Sequence, residues 1–268
     1  CPSLEVSHDE YIDLLRSLRQ LEGIKKVFIR SGIRYDYLMY DKSDEFLQEL
    51  IRYHVSGQLK VAPEHVSDNV LQAMNKPSFK IYEDFKAKFD KINAELGKKQ
   101  YLVPYLISSH PACTIDDAIN LALYLKSINY MPEQVQDFYP TPSTKSTCMY
   151  YTGINPDTMQ PIYVAKSKKE KMFQRALMQY RKKENYEIIH EALIEAGRSD
   201  LIGFGENCLI KPTKDEAIQR SNNAKNVPNT TGKYDQNVKH IKTRTGYSYA
   251  KVVAKPQPKI NGKRRKRG

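Results

Sequence analysis

The feature that most constrains this chain is an alternation of short apolar runs and amphipathic helical stripes along its first 140 residues. The runs are Val27-Phe28-Ile29, Leu59-Lys60-Val61-Ala62, Tyr101 to Ile107 and Val135 to Tyr139. They are spaced by about one β/α unit, the pattern of a parallel sheet with covering helices. Four such units are too few to close a barrel, and the first helix should follow a strand that is not there. The expected fold class is therefore α/β, the back portion of a partial (β/α) barrel whose front strands lie upstream of Cys1.

Capping residues mark the helices between these runs. Ser7 and Glu10 make a capping box ahead of Tyr11, Leu14, Leu15, Leu18 and Leu21, and Gly23 stops that helix. Phe46, Leu47, Leu50 and Ile51 form a second stripe. Ser67 caps a short helix that Pro77 ends, Ser78 caps the longest one, and Thr114 with Asp117 starts another. After a Pro/Thr/Ser-rich stretch from Pro140 to Ser146 and a loop around Gly153, two helices follow at about 169–180 and 185–196. From Lys211 onward periodicity fades and the sequence predicts disorder.

The formal net charge of +12 is unevenly distributed. Residues 1–210 hold 27 Lys and Arg against 28 Asp and Glu, net −1, whereas residues 211–268 hold 16 against 3, net +13. Cys1, Cys113, Cys148 and Cys208 are scattered without a CxxC pair, which argues against a zinc site or a disulfide scaffold. Cys1 at the first position points to a shortened reading frame rather than to a lipid-modified terminus. No apolar run approaches the ~20 residues of a membrane helix and no signal peptide is evident, so a soluble, cytoplasmic protein is expected.

In parallel β/α architectures ligands bind at the C-terminal ends of the strands. That rule selects Arg30-Ser31-Gly32-Ile33-Arg34, Ala62-Pro63-Glu64-His65, Ser108-Ser109-His110-Pro111 and Asp137-Phe138-Tyr139-Pro140-Thr141-Pro142, each polar or proline-broken directly after an apolar strand. Glu64, just past a strand and after a turn-fixing proline, is suited to accept hydrogen bonds from a ribose diol or an ammonium group. His65, His110, Ser31, Ser108 and Ser109 have a plainer reading as satisfied loop residues or caps, and Arg30 as the partner of a helix-end carboxylate.

Long collinear runs resemble a known family: Val27 to Tyr37, Gly57 to Leu71 with Met74-Asn-Lys-Pro77, Gln134 to Pro142, Cys148-Met-Tyr-Tyr-Thr-Gly153, Gln174-Arg-Ala-Leu177 and Asp200-Leu-Ile-Gly203. Over roughly residues 1–210 the chain looks like the YgiQ-type radical S-adenosylmethionine (radical SAM) proteins. The resemblance implies a six-stranded partial barrel with a Cys-x3-Cys-x2-Cys loop after strand one. Three thiolates there hold a [4Fe–4S] cluster and leave one iron open to S-adenosylmethionine, whose one-electron cleavage gives a 5′-deoxyadenosyl radical. This chain has no such triplet. The resemblance then implies that residues 1–147 supply strands three to six and that 148–210 are a family-specific helical extension; beyond it, composition makes 211–268 a disordered basic tail. The cofactor-binding positions implied are Arg30 and Ser31 after strand three, Glu64 and His65 at the ribose, Ser108 and Ser109 near adenine, and Asp137 to Pro142 at strand six. No metal ligand falls within the chain, and this fragment alone is expected to be inactive. The substrate is unknown, and an electron donor such as flavodoxin or ferredoxin is implied.

The tail ends in Lys263-Arg-Arg-Lys-Arg267, a polycation that attracts phosphate without sequence selectivity. It supports a second reading, a non-catalytic RNA- or ribosome-associated module in which the partial barrel only carries the basic segment.

Overall fold

A computed structural model of the chain describes residues 5–225 together with 238–242 and 248–252. It divides into two compact units, Cys1–Pro212 and Thr213–Gly268. The first is α/β, built on a small open sheet of three parallel strands in the order β1-β2-β3: β1 Gln58–Glu64, β2 Tyr101–Ser108 and β3 Gln136–Asp137. In register, Gln58 lies opposite Tyr101 and Lys60 opposite Val103, while Ser108 lies opposite Asp137.

The run at 27–29 does not become a ladder strand. It is tied by isolated bonds, Ile29 N–H to His54 O, outside the sheet, at 2.8 Å and Lys60 N–H of β1 to Arg30 O at 2.9 Å. Phe28 remains 46% exposed, so the segment lacks the burial that would hold a fully paired edge strand. The fourth expected strand shrinks to the two residues of β3.

Helices α1 Asp9–Gln20, α3 Glu45–Glu49, α4 Asp68–Ala73, α5 Phe79–Glu95 and α6 Ile115–Ser127 fall where the stripes predict, with a short α2 Tyr35–Leu38 between the first two. A π-helical turn, Leu50–His54, continues α3. Two caps form as expected: Ser78 accepts from Lys80 N–H, and Thr114 and Asp117 close a reciprocal capping box. The box at Ser7 does not. The α1 N-cap is His8, whose Nδ1 lies 2.5 Å from Asp41 Oδ2 and whose ring stacks on Phe46. The buried face of α1 is also rotated from the expected stripe. Ile12 and Leu15 are inside, Leu14 and Leu21 are more than half exposed, and Arg16 and Arg19 reach Glu45 and Glu49 at 2.8 and 2.7 Å. Ion pairs to α3 thus take positions that the periodicity assigned to solvent.

Beyond β3, the stretch read as loop contains α7 Lys145–Thr152, capped by Thr144 and ended by Gly153 at φ +70°. Helices α8 Lys168–Met178 and α9 Tyr186–Glu195 follow. Ser167 and Glu170 form a capping box at the start of α8.

Two apolar clusters cover one face of the sheet. Leu59 and Val61 pack with Phe46, Leu50, Phe85 and Phe89, while Leu106 packs with Leu121, Leu125, Leu177 and Leu193. The opposite face carries Gln58 and Lys60 from β1, Tyr101 and Tyr105 from β2, and Gln136 from β3, all exposed. Tyr101 is 65% exposed and Tyr105 42%, and the Tyr105 hydroxyl donates to Gln136 Oε1. Parallel sheets are ordinarily covered on both faces, so this half-covered sheet is an unusual arrangement.

The second unit contains α10 Lys214–Lys225 and an antiparallel pair, β4 Val238–Lys242 with β5 Ser248–Val252. Where disorder was expected from Lys211 onward, the described residues form these elements. The signal overlooked was Thr213 with Glu216, whose side chains and backbone amides exchange capping-box hydrogen bonds. The terminal basic run at 263–267 lies outside the described residues. Among the described residues no helix is long and apolar enough to cross a membrane.

Candidate functional site

The C-terminal ends of β1 and β2 concentrate backbone conformations that side-chain-bearing residues seldom adopt. Glu64 has φ +69°, Ser109 +61° and Ala112 +77°. Left-handed non-glycine residues cost of order 1 kcal/mol or more and cluster where surrounding structure imposes a functional geometry. Glu64 leaves β1 through a register shift between Val61 and Glu64, which re-aims its side chain. One carboxylate oxygen lies 3.3 Å from Lys76 Nζ, and the other, Oε2, is buried without a hydrogen-bond partner. Burial pushes the Glu64 carboxyl above its ordinary range against the pull of Lys76.

His65 is fully buried. Its Nδ1 accepts the Ser67 backbone N–H at 3.0 Å, so the neutral ring carries its proton on Nε2, 3.4 Å from Cys113 Sγ. Burial holds His65 down to about 4 and pushes the Cys113 thiol up, with Asp117 reinforcing the latter. Cys113 is therefore a neutral thiol facing an N–H donor, the reverse of an activated nucleophile. Asp117 resists ionisation through burial, but hydrogen bonds from Thr114 and Asn69 prevail and hold its carboxyl below the ordinary range.

At the end of β2, Ser108 Oγ donates to Asp137 Oδ1, and Arg175 of α8 lies 3.0 Å from Asp137 Oδ2. Gln174, one residue earlier, clamps the turn from the helix side. Its Oε1 accepts Ser109 N–H at 2.9 Å and its Nε2 donates to Cys113 O at 2.7 Å. The Ser109 hydroxyl is buried with no partner. His110 sits beside Pro111 O and Ser146 Oγ at 2.7 and 2.8 Å, edge-on to Phe138, and burial lowers it to about 4.

The tertiary structure thus joins Ser108, Ser109 and Asp137 in one hydrogen-bonded rim. His65 attaches to that rim through Cys113 and Gln174. Glu64 stands at the neighbouring strand end with Lys76. Arg30 and Ser31 do not join the group: Arg30 is exposed beside Lys60 and Ser31 lies in an exposed bend. Pro142 is exposed in the loop between β3 and α7. The residues that sequence reasoning passed over are Lys76, Cys113, Ser146, Gln174 and Arg175. Lys76, Gln174 and Arg175 lie inside runs that carried the family resemblance, whereas nothing in the sequence distinguished Cys113 or Ser146.

The unpartnered Glu64 Oε2 and Ser109 Oγ suit a polar ligand bearing hydroxyl or amine donors. An iron–sulfur cluster finds no such match. Among the described residues no group of three or more His, Cys, Asp or Glu could hold a metal ion, and Cys113, Cys148 and Cys208 do not converge.

A family model described as a domain of unknown function, DUF3362, matches residues 133–268, half of the chain. The chain belongs to the DUF3362 family. It is also 61% identical over 211 residues to a UPF0313 protein of Clostridium perfringens (strain 13 / Type A), an overlap of 79% of this chain and 32% of that protein. A UPF0313 protein of Clostridium botulinum (strain Okra / Type B1) is 57% identical over 214 residues, covering 80% and 33%. UPF0313 is the YgiQ family, in line with the resemblance read from the sequence. This DUF3362 chain spans about a third of the length of the curated relatives it matches.

Proposed function

We propose that this chain is the C-terminal part of a radical S-adenosylmethionine enzyme and supplies later strands of its partial barrel. The observation that carries this reading is the half-covered parallel sheet, with helices on one face and Lys60, Tyr101 and Tyr105 open on the other. Such a sheet is expected where further strands continue it around a lumen. The similarity to UPF0313 proteins of which this chain matches only about a third agrees with that arrangement.

In this reading the cluster ligands lie outside the chain, because its described residues do not fit one. The cluster and S-adenosylmethionine together would supply a carbon radical for hydrogen abstraction, with an electron from a flavodoxin- or ferredoxin-type donor. The chain's own residues bind and orient. Glu64 Oε2 accepts from an ammonium group or a ribose diol, and Ser109 offers its hydroxyl to the same ligand. The Gln174 clamp and the Ser108–Asp137–Arg175 chain hold that rim in place. The substrate is not specified by these residues.

Anaerobic reconstitution with iron and sulfide tests the division of labour. The 268-residue chain should bind no iron, whereas the full-length Clostridium perfringens relative should bind about four per chain and release 5′-deoxyadenosine on reduction. Stoichiometric iron on this chain would overturn the placement of the cluster, and an iron-free relative would overturn the radical reading itself.

The competing reading, an RNA- or ribosome-associated module, is favoured by one observation, the net +13 of residues 211–268.

A further inference from the structure

We propose a second ligand site, for a phosphate-bearing small molecule, at the opposite end of the sheet from the Glu64–Ser109 rim. Arg30, Lys60, Lys99 and Tyr101 line a groove there of about 400 Å³, completed by Ser56, Gly57 and Gln58. Gln58 and Tyr101 are the first residues of β1 and β2, so the groove opens at the N-terminal end of the strands. It contains three cations and no carboxylate. No ion pair is found for Arg30, Lys60 or Lys99 among the described residues, in contrast to Lys76 with Glu64, Lys88 with Asp44 and Arg19 with Glu49.

Arg30 and Lys60 occupy neighbouring backbone segments, joined by the 2.9 Å bond from Lys60 N–H to Arg30 O. Like charges side by side on adjacent extended segments repel, and an anion placed between them removes that cost. Arg30 offers a planar fork suited to two phosphate oxygens, while Lys60 and Lys99 act as point charges. Gly57, at φ +121°, leaves the groove floor without a side chain, and nothing stands where a Cβ would project. Tyr101, 65% exposed, gives the wall an aromatic face on which a planar group can stack. The volume lies within the ~300–1,000 Å³ range of small-molecule sites, which favours a phosphorylated metabolite or mononucleotide over a long polymer.

This site lies on the sheet face that the radical reading turns toward the lumen, and its test, which needs neither cluster nor S-adenosylmethionine, can fail without that reading failing. Amide NMR spectra of the ¹⁵N-labelled 268-residue chain would be recorded during titration with pyrophosphate, AMP and adenosine. Saturable shifts at Gly57, Gln58 and Tyr101 are expected for pyrophosphate and AMP and not for adenosine. Arg30→Gln with Lys60→Gln should weaken AMP binding at least tenfold with an unchanged circular-dichroism spectrum, whereas Lys98→Gln should leave it within twofold. Shifts confined to the lysine-rich C-terminal segment, equal responses to adenosine and AMP, or undiminished affinity in the double variant would each overturn the proposal. Should the double variant fail to fold, Lys99→Gln with the same readout takes its place.

Discussion

His65 Nε2 lies 3.4 Å from Cys113 Sγ, and the Ser67 amide on the other ring nitrogen decides that the histidine is the donor of this pair. A cysteine and a histidine at this distance ordinarily invite a nucleophilic reading. Here both groups are buried and neutral. Cys113 should resist a small alkylating agent such as iodoacetamide at pH 8 in the native state, while the exposed Cys148 reacts. Peptide mapping after a timed pulse checks this, and modification of Cys113 as fast as Cys148 would contradict the assigned tautomer and burial.

The two buried histidines also set a pH dependence. Burial lowers both His65 and His110 to about 4, below the ordinary value near 6.5. The unfolded chain therefore binds more protons than the folded one across that interval. Stability is present in full above about pH 6.5 and falls as the solution is acidified toward 4, by on the order of 3 kcal/mol for each histidine. Urea denaturation at pH 7, 5.5 and 4.5 measures the slope. A flat profile would mean that water reaches these rings.

Gln174 satisfies two buried backbone groups with one side chain. Gln174→Ala should cost about 2–4 kcal/mol, because the Ser109 N–H and Cys113 C=O are both left without partners. Gln174→Glu should cost a comparable amount, since a carboxylate cannot donate to Cys113 O. Thermal denaturation of these variants beside Gln174→Met, which keeps the volume without the hydrogen bonds, distinguishes this clamp from simple packing, for which the Met variant would be nearly neutral.

The cation 3.3 Å from Glu64 offsets the burial of that carboxyl. Lys76→Met should destabilise the fold by roughly 1–3 kcal/mol at pH 7 and push the carboxyl higher still. A raised carboxyl pKa means that the folded state takes up the proton more readily than the unfolded one. The loss must therefore shrink as pH falls through the folded value, and chemical denaturation at pH 7 and 4.5 should reveal a smaller difference from wild type at the lower pH.

The basic terminus makes its own forecast. Removing residues 259–268 deletes Lys259 and the five basic residues from Lys263 to Arg267. If the tail binds RNA through phosphates, filter binding should weaken for every RNA sequence alike. The dependence of log affinity on log salt should also become shallower, by roughly 0.7 for each single-strand phosphate that the shortened chain no longer neutralises. An unchanged salt slope would remove the tail from any nucleic-acid reading.

Strands and helices with strong periodicity were legible in the sequence. Leu59 to Ala62 and Tyr101 to Ile107 carry enough buried apolar surface to predict β1 and β2, and Ser78 and Thr114 announce α5 and α6 through local hydrogen bonds that need no distant partner. The run at 27–29 misled because a three-residue apolar run forms few ladder bonds and, with Phe28 exposed, buries little to hold it as an edge strand. Helix α7 was missed because it buries only Met149 fully and so shows no stripe.

The same boundary runs through the candidate site. The rule that ligands gather at strand ends is local in sequence, and it selects Glu64, His65, Ser108, Ser109 and Asp137 from the residues alone. Which of these meet was a matter of tertiary structure. Gln174 lies 65 residues from Ser109 and Arg175 lies 38 from Asp137, and only the packing of α8 against β2 brings them together. Arg30 obeyed the same rule yet ended beside Lys60, because its segment joins the sheet by isolated bonds rather than by a register that carries it to the rim. Periodicity, capping and charge are short-range properties that the residues determine by themselves; the partners of a buried polar group depend on how distant segments dock, and that is decided by the fold as a whole.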